Sequence, residues 1–108
     1  MNLRIHEQAA ADLIDGIMFY EQRGAGLGDY FMESIYSDIE SLRLFAGIHR
    51  KVFGCHRMLS RIFPFSIYYT ITGDTVSVWR VLDCRRNPQW IERQVRMRSE
   101  EGDPNGTS

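Results

Sequence analysis

The sequence predicts an α+β fold with an N-terminal strand, a two-helix hairpin, an antiparallel curled sheet of three to four strands and a short C-terminal helix. Two observations carry this prediction. Residues 65–71 and 75–82 are rich in β-branched and aromatic types, and Thr72-Gly73-Asp74 separates them, which is typical of an antiparallel hairpin. Earlier in the chain, two segments repeat apolar residues at helical spacing on either side of a glycine-rich stretch.

The first strand of the hairpin is predicted to have two distinct faces. Period-2 alternation places Phe65, Ile67, Tyr69 and Ile71 on one face and Ser66, Tyr68 and Thr70 on the other. Pro64 stands just before the run, where its missing N–H costs no central ladder bond. This hairpin is therefore expected to be the centre of the domain.

The segment before the glycine-rich stretch predicts a short strand over residues 3–5 and then a helix from Glu7 to about Arg23. Spacing of i, i+3, i+4 and i+7 predicts that this helix buries Ala10, Leu13, Ile14, Ile17 and Met18. The glycines between Gly24 and Gly28 are expected to end it.

The second helix is predicted to begin with Asp29 as its N-cap. Its apolar stripe is Phe31, Ile35, Ile39 and Leu42. Two amphipathic helices joined by a tight glycine loop form an αα-hairpin, and we expect each helix to lay its narrow apolar side on the sheet.

Residues 45–49 are interpreted as a connection, and either or both of 51–53 and 56–59 as strands. Asn87 followed by Pro88 predicts the start of the final helix, with Asn as cap and Pro at the first helical position. Its apolar edge is Trp90, Ile91 and Val95. The polar residues 99–108 are predicted to be a disordered tail, which leaves a single domain over residues 1–98.

Composition indicates a cytoplasmic globular protein. The chain has 108 residues, of which 44% are hydrophobic, and no apolar run approaches the roughly 20 residues that a membrane span needs. The first residues lack the apolar stretch of a secretory signal, so Cys55 and Cys84 are expected to be free thiols. The three histidines and two cysteines do not have metal-ligand spacing, and we expect no metal and no cofactor.

Charge is distributed unevenly along the chain. Residues 1–48 carry a net charge of −5, residues 49–98 carry +7, and the last ten residues carry −3. Twelve of the thirteen basic residues are Arg, the type suited to bidentate contact with carboxylates and phosphates. The alternatives are a solvated basic face without a partner, an acidic partner and a target that carries nucleic acid.

Several short motifs together resemble a known family. They are Ala-Ala-Asp-Leu at 10–13, Tyr-Glu at 20–21, Gly-Leu-Gly at 26–28, Phe31, Phe-Pro-Phe-Ser-Ile-Tyr-Tyr at 63–69, Val-Leu at 81–82 and Arg-Arg-Asn-Pro at 85–88. In this order the motifs resemble the ParE branch of the ParE/RelE toxin superfamily, the plasmid-stabilisation toxins of type II toxin–antitoxin systems. The resemblance covers about residues 3–95, and one departure is Asp83, where the family often has His.

This resemblance implies a toxin that binds and inhibits DNA gyrase and that a cognate ParD-like antitoxin neutralises in a hetero-oligomer. The runner-up is a RelE-like, ribosome-dependent mRNA endoribonuclease, and the third alternative is a degenerate, non-toxic protein that only binds its antitoxin. We place target binding at the end of the last strand and the start of the final helix. The predicted residues are Arg80, Arg85, Arg86, Pro88 and Trp90.

Catalysis is not expected. The related ribonucleases use cationic residues and a general acid/base, often a Tyr or His near the C-terminus, but this chain has no His after His56 and no Tyr after Tyr69. Arginine does not titrate near neutral pH and cannot fill that role. We therefore assign no catalytic residue. If the chain is a ribonuclease after all, its predicted phosphate contacts are Arg61, Arg80 and Arg85.

Overall fold

A computed structural model describes the backbone of residues 1–102 and the side chains of residues 1–98. Five strands form one sheet in the order β1-β5-β4-β3-β2. Their bounds are β1 Asn2–Ile5, β2 Lys51–Val52, β3 Cys55–Leu59, β4 Phe65–Thr72 and β5 Thr75–Asp83. Strands β2 to β5 pair antiparallel, as predicted, and β1 adds a fifth strand parallel to β5.

Helices cover both faces of this sheet. The helices are α1 Glu7–Arg23, α2 Leu27–Glu40, the single turn α3 Leu42–Phe45, and α4 Pro88–Gly102. One hydrophobic core lies between the α1–α2 hairpin and the sheet, and a second, smaller core lies between the other face and α4. The predicted α+β architecture is thus confirmed, with α4 on the side of the sheet opposite the hairpin.

The predicted faces of β4 are confirmed. Phe65, Ile67 and Tyr69 belong to the core under the hairpin, and Ile71 packs against it. Tyr68 belongs to the core under α4. Because β4 is the central strand and both of its faces are covered, even the polar Ser66 is only 2% exposed.

The predicted buried stripe of α1 is wrong in part. Ile14 and Met18 are each 56% exposed, whereas Leu13 is buried as predicted. The buried face of α1 is rotated toward Gly16. The Phe31 ring of α2 lies so close to this glycine that a Cβ on it would be only 2.5 Å from the ring. The spacing of apolar residues does not detect a buried face that is centred on a glycine. In α2, the predicted stripe is confirmed, and Phe31, Ile35 and Ile39 have no exposed surface.

The predicted start of α2 is also wrong. The helix begins at Leu27, and its N-cap is Gly26 with a φ of 88°, so Asp29 lies in the first turn instead of capping it. Glu21 replaces a cap, because its carboxylate accepts hydrogen bonds from the N–H groups of Gly26 at 3.2 Å and Gly28 at 3.0 Å. A long side chain from the preceding helix thereby satisfies free donors of the next.

The start of α4 is as predicted. Pro88 is the first helical residue, and Asn87 Oδ1 accepts a hydrogen bond from the Gln89 N–H at 2.8 Å. The helix runs to Gly102, and the domain boundary at residue 98 stays a prediction. Residues 103–108 lie outside the described part of the chain, and their disorder stays a prediction.

Cys55 and Cys84 are free thiols, the first buried and the second exposed. Over the described residues, no helix is long and apolar enough to cross a membrane.

A β-bulge interrupts the pairing of β4 with β5. Tyr68 pairs with Arg80, but the next residue of β4, Tyr69, pairs with Val78, so Trp79 is the extra residue. A bulge reverses the alternation of side chains beyond it. Val78 and Val81 therefore both reach the core under the hairpin, and Arg80 lies on the other face with its pairing partner.

Candidate target-binding site

A groove of about 360 Å³ lies between α1 and the turn that joins β5 to α4. Helix α1 contributes Asp15 and Phe19 to it, and the end of β5 contributes Asp83. Three of the five predicted target-binding residues also line it, namely Arg80, Arg86 and Trp90. The structure therefore brings most of the predicted site together and adds a wall from α1.

Arg80 forms the buried floor of this groove. Its guanidinium donates to both carboxylate oxygens of Asp12, at 2.8 and 3.0 Å, and to Gln94 Oε1 at 2.8 Å. Both side chains of the ion pair are 10% exposed. Burial raises the pKa of Asp12, although the hydrogen bonds from Arg80 and from the Val81 N–H act in the opposite direction. Arg80 thus joins α1, β5 and α4 and positions the residues around it.

Arg85 is held by the neighbouring acid. Asp83 Oδ1 accepts from the Arg85 Nε at 2.9 Å and from its backbone N–H at 2.8 Å, and Asp83 Oδ2 accepts from Nη2 at 2.7 Å. These hydrogen bonds from Arg85 lower the pKa of Asp83. The carboxylate stays ionised at neutral pH, so it remains available for this two-armed contact with Arg85 in the free protein. The Arg85 side chain remains 59% exposed.

Arg86 and Trp90 form a cation–π pair at the rim of the groove. The guanidinium carbon of Arg86 lies 3.7 Å from the centroid of the Trp90 ring. Trp90 is partly buried against the core under α4, which fixes the ring. The two residues are four positions apart in sequence, and the capped first turn of α4 holds them in register. The result is a charged and aromatic surface that is ordered before any partner arrives.

Pro88 lies on a different side of α4 from the groove. It lines a separate pocket together with Cys84 and Tyr68. Its contribution to the groove is indirect, because its fixed φ sets the direction in which α4 leaves the turn.

The three predicted phosphate-contact arginines do not form one cluster of free cations. Arg61 donates to Asp38 Oδ1 at 2.9 Å, Arg80 is paired with Asp12, and Arg85 is paired with Asp83. Each of the three is therefore neutralised by a different carboxylate. A phosphate would have to displace an acid at each of them.

Sequence reasoning missed Asp12 and Phe19. Asp12 is separated from Arg80 by 68 positions, and no local pattern connects them. Phe19 is 39% exposed and lies under the Arg23 guanidinium at 4.5 Å. The signal that could have found it is an aromatic residue off the buried stripe of an amphipathic helix.

The groove offers recognition chemistry: guanidinium groups, an indole, phenyl rings and three carboxylates on an ordered frame. Within residues 1–98, no group of three His, Cys, Asp or Glu side chains is arranged to hold a metal ion. Arg and Trp are the types that most often dominate binding energy at protein interfaces.

The chain is similar to toxins of one family. The sequence model described as "ParE toxin of type II toxin-antitoxin system, parDE" matches residues 3–88. A solved structure from the "Chromosomal ParDE TA system from P. aeruginosa" is 23% identical with a TM-score of 0.64, and the match covers 75% of this chain and 92% of that chain. No curated protein matches the chain. The structural likeness supports the fold, and the family match spans most of the sequence. The chain belongs to the ParE toxin family of type II toxin–antitoxin systems.

Proposed function

We propose that this chain inhibits DNA gyrase by binding to it, without catalysis of its own, and that a cognate ParD-like antitoxin neutralises it. One observation supports this gyrase-binding surface: the exposed Arg86, in the turn between β5 and α4, pairs with the partly buried Trp90 in the first turn of α4. The Asn87 cap orders that turn. Family membership supports the toxin–antitoxin context.

The target-binding segment comprises Arg85, Arg86, Pro88 and Trp90, with Arg80 as a positioning residue. Preorganised side chains lose little conformational entropy when a partner binds. Truncation of an Arg or Trp at a binding hot spot costs on the order of 2 kcal/mol or more. A loss of that size weakens binding by about thirtyfold.

The antitoxin is proposed to bind the side of the molecule that carries the α1–α2 hairpin and α3. Large apolar side chains are exposed on α1, α2, α3 and the turn that follows: Ile14, Met18, Tyr36, Leu44 and Ile48. Leu44 and Ile48 are 82% and 73% exposed, which is unusual for residues of this size. A segment that folds on docking can cover such a dispersed surface and form a stable hetero-oligomer.

The decisive experiment measures supercoiling by purified gyrase in the presence of the toxin. Wild type should inhibit supercoiling, and the double variant Arg85→Ala/Arg86→Ala should not, while still binding antitoxin. Arg93→Ala is the matched control, because Arg93 is an exposed arginine of α4 that does not line the groove. Equal inhibition by the double variant would place the gyrase-binding surface elsewhere.

The same preparation separates the alternatives. Programmed ribosomes incubated with the toxin should retain intact mRNA. Codon-specific cleavage would instead identify the ribonuclease. A protein that binds antitoxin but leaves growth, gyrase and mRNA unchanged would identify the degenerate alternative.

A further inference from the structure

A second pocket, of about 170 Å³, lies between β3, β4 and the first turn of α4. Pro88 and Ile91 form its wall on the α4 side. Its other lining residues come from the turn before β3, from β3 and β4, and from the segment after β5: Phe53, Arg57, Ser66, Tyr68 and Cys84. This pocket is separate from the groove that carries the proposed gyrase-binding surface.

Polar groups at the bottom of the pocket are deeply buried. Ser66 and Tyr68 are each 2% exposed, and Ser66 Oγ lies 2.9 Å from the Cys84 Sγ. Burial raises the pKa of Tyr68, so its hydroxyl stays protonated and can donate a hydrogen bond at neutral pH. Hydroxyl groups that line a cavity are suited to a polar guest.

The charge of this pocket has one sign. Among residues 1–98, Arg57 is its one charged lining residue and no carboxylate lines it, whereas Asp12, Asp15 and Asp83 line the groove on the other side of α4. The pocket also lies beside the first turn of a helix of 15 residues, whose dipole favours an anion at that end. Both electrostatic contributions favour a negative guest.

The wall formed by Phe53 is strained. Its φ of 58° is the left-handed conformation, and it is the one residue other than glycine with positive φ in the described chain. The Arg96 guanidinium lies over its ring at 5.6 Å. Backbone strain in a bulky residue persists where surrounding contacts enforce it, and such strain concentrates at binding sites.

We propose that this pocket binds a phosphate group, with Arg57 supplying the charge and the Ser66 and Tyr68 hydroxyls donating hydrogen bonds. The volume is below the range of roughly 300 to 1,000 Å³ that is usual for drug-sized ligands, so it suits the phosphate alone and not a whole nucleotide. The phosphate is either a free anion or one group of a nucleic-acid strand. This inference goes beyond the proposed function and does not depend on gyrase binding.

Alkylation of Cys84 by iodoacetamide tests the proposal on the full chain. Cys84 is exposed and lines the pocket, whereas Cys55 is buried, so the fast-reacting thiol reports on the pocket. Inorganic phosphate, titrated at constant ionic strength with potassium chloride, should slow alkylation several-fold and saturably. Amide chemical shifts of Ser66 and Cys84 should follow the same curve.

Variants assign the effect to the pocket. Arg57→Gln should weaken the apparent phosphate affinity by about tenfold or more, because hydrogen bonds to charged groups are the stronger class. Arg57→Lys keeps the charge and should retain part of the affinity, which guards against a fold defect in the glutamine variant. Arg93→Gln removes an exposed arginine that does not line the pocket and should leave the curve unchanged.

Oligonucleotides identify the source of the phosphate. If a 5′-phosphorylated single strand protects Cys84 and the 5′-hydroxyl strand does not, the pocket takes a terminal phosphate; equal protection indicates a backbone phosphate. Protection that does not saturate, or that is the same in wild type and Arg57→Gln, would overturn the proposal. Supercoiling inhibition by wild type and by Arg57→Gln is measured in parallel, so loss of the phosphate site and loss of gyrase binding remain distinguishable.

Discussion

The Asp12 carboxylate of α1 accepts two hydrogen bonds from the Arg80 guanidinium of β5, at 2.8 and 3.0 Å, across 68 positions of sequence. The same carboxylate accepts from the Val81 N–H at 2.9 Å. This contact lies at the edge of the sheet, where β5 continues beyond its pairing with the short strand β1 and α1 passes beside it. Arg80, which the sequence predicts to be a target-binding residue, therefore stabilises the fold.

Arg80→Met should destabilise the protein by about 3–5 kcal/mol, because it leaves the Asp12 charge buried without its partner. The free energy of unfolding in urea measures this loss. Gyrase inhibition should fall by more than the folded fraction does, since Arg80 positions the residues around the groove.

The double variant Asp12→Asn/Arg80→Met removes both charges and keeps an acceptor for the Val81 N–H. It should be more stable than Arg80→Met alone, because the penalty arises mainly from an uncompensated buried charge. A double variant no more stable than the single one would show that the ion pair itself, and not the orphaned carboxylate, accounts for the loss.

The sequence does not predict the burial of Arg80, and the reason is the bulge at Trp79. Strict alternation from Val76 would place Arg80 on the same face as Val78, beside Val76 in the core. The extra residue shifts Arg80 to the opposite face, where Asp12 and Gln94 reach it. A bulge is a feature of the pairing between two strands, and the residue pattern of one strand alone does not predict it.

The helix hairpin shows the same limit. The stripe of α2 is legible because its buried residues are large and apolar, and Phe31, Ile35 and Ile39 follow helical spacing. The buried face of α1 is centred on Gly16, which a hydrophobicity count scores as neutral. Two helices that pack closely require a small residue at their contact. The buried face of α1 is therefore centred on a residue without a side chain, which a hydrophobicity pattern does not detect.

Gly16→Ala is expected to destabilise the protein by about 1–3 kcal/mol, the usual cost of overpacking a core. The added Cβ would lie 2.5 Å from the Phe31 ring. Helix propensity alone predicts the opposite sign, a gain of about 1 kcal/mol. Urea denaturation decides between them. Gln22→Ala, at an exposed position of the same helix, is the control and should be neutral or slightly stabilising.

The stability of the protein should fall as the pH drops from 7.5 to 5.5. Burial lowers the pKa of His49, and electrostatic repulsion from His56 lowers it further; burial and Arg4 lower the pKa of His6. The unfolded chain therefore takes up protons first as the pH falls below about 6.5, and the free energy of unfolding decreases with it. Above that pH the histidines should contribute no slope.

His49→Asn tests the assignment. Nδ1 of His49 lies 2.5 Å from the Tyr69 hydroxyl, and the Asn Oδ1 can take over that contact without titrating. The pH dependence should become shallower in this variant, and shallower again when His6→Gln is added. Asp83 has a lowered pKa, so it contributes stability above the unfolded value near 4, lost only at lower pH, and cannot produce a slope in this window. An unchanged slope in the double variant would assign the effect to other groups.

Asp83→Asn should strengthen gyrase inhibition, because it frees Arg85 to contact the target. The Asn Oδ1 can still accept from the Arg85 N–H, so the turn should keep its shape while the two-armed side-chain contact is lost. Exposed ion pairs are worth about 0.2–1 kcal/mol, which limits the gain to about one- to fivefold in the concentration that halves supercoiling. Glu92→Gln is the matched control: it breaks another exposed pair, Glu92–Arg96 at 2.7 Å, outside the groove, and should change nothing. Weaker inhibition by Asp83→Asn would mean that Asp83 contacts the target itself, and the groove would then present an acid, not a cation, at this point of its rim.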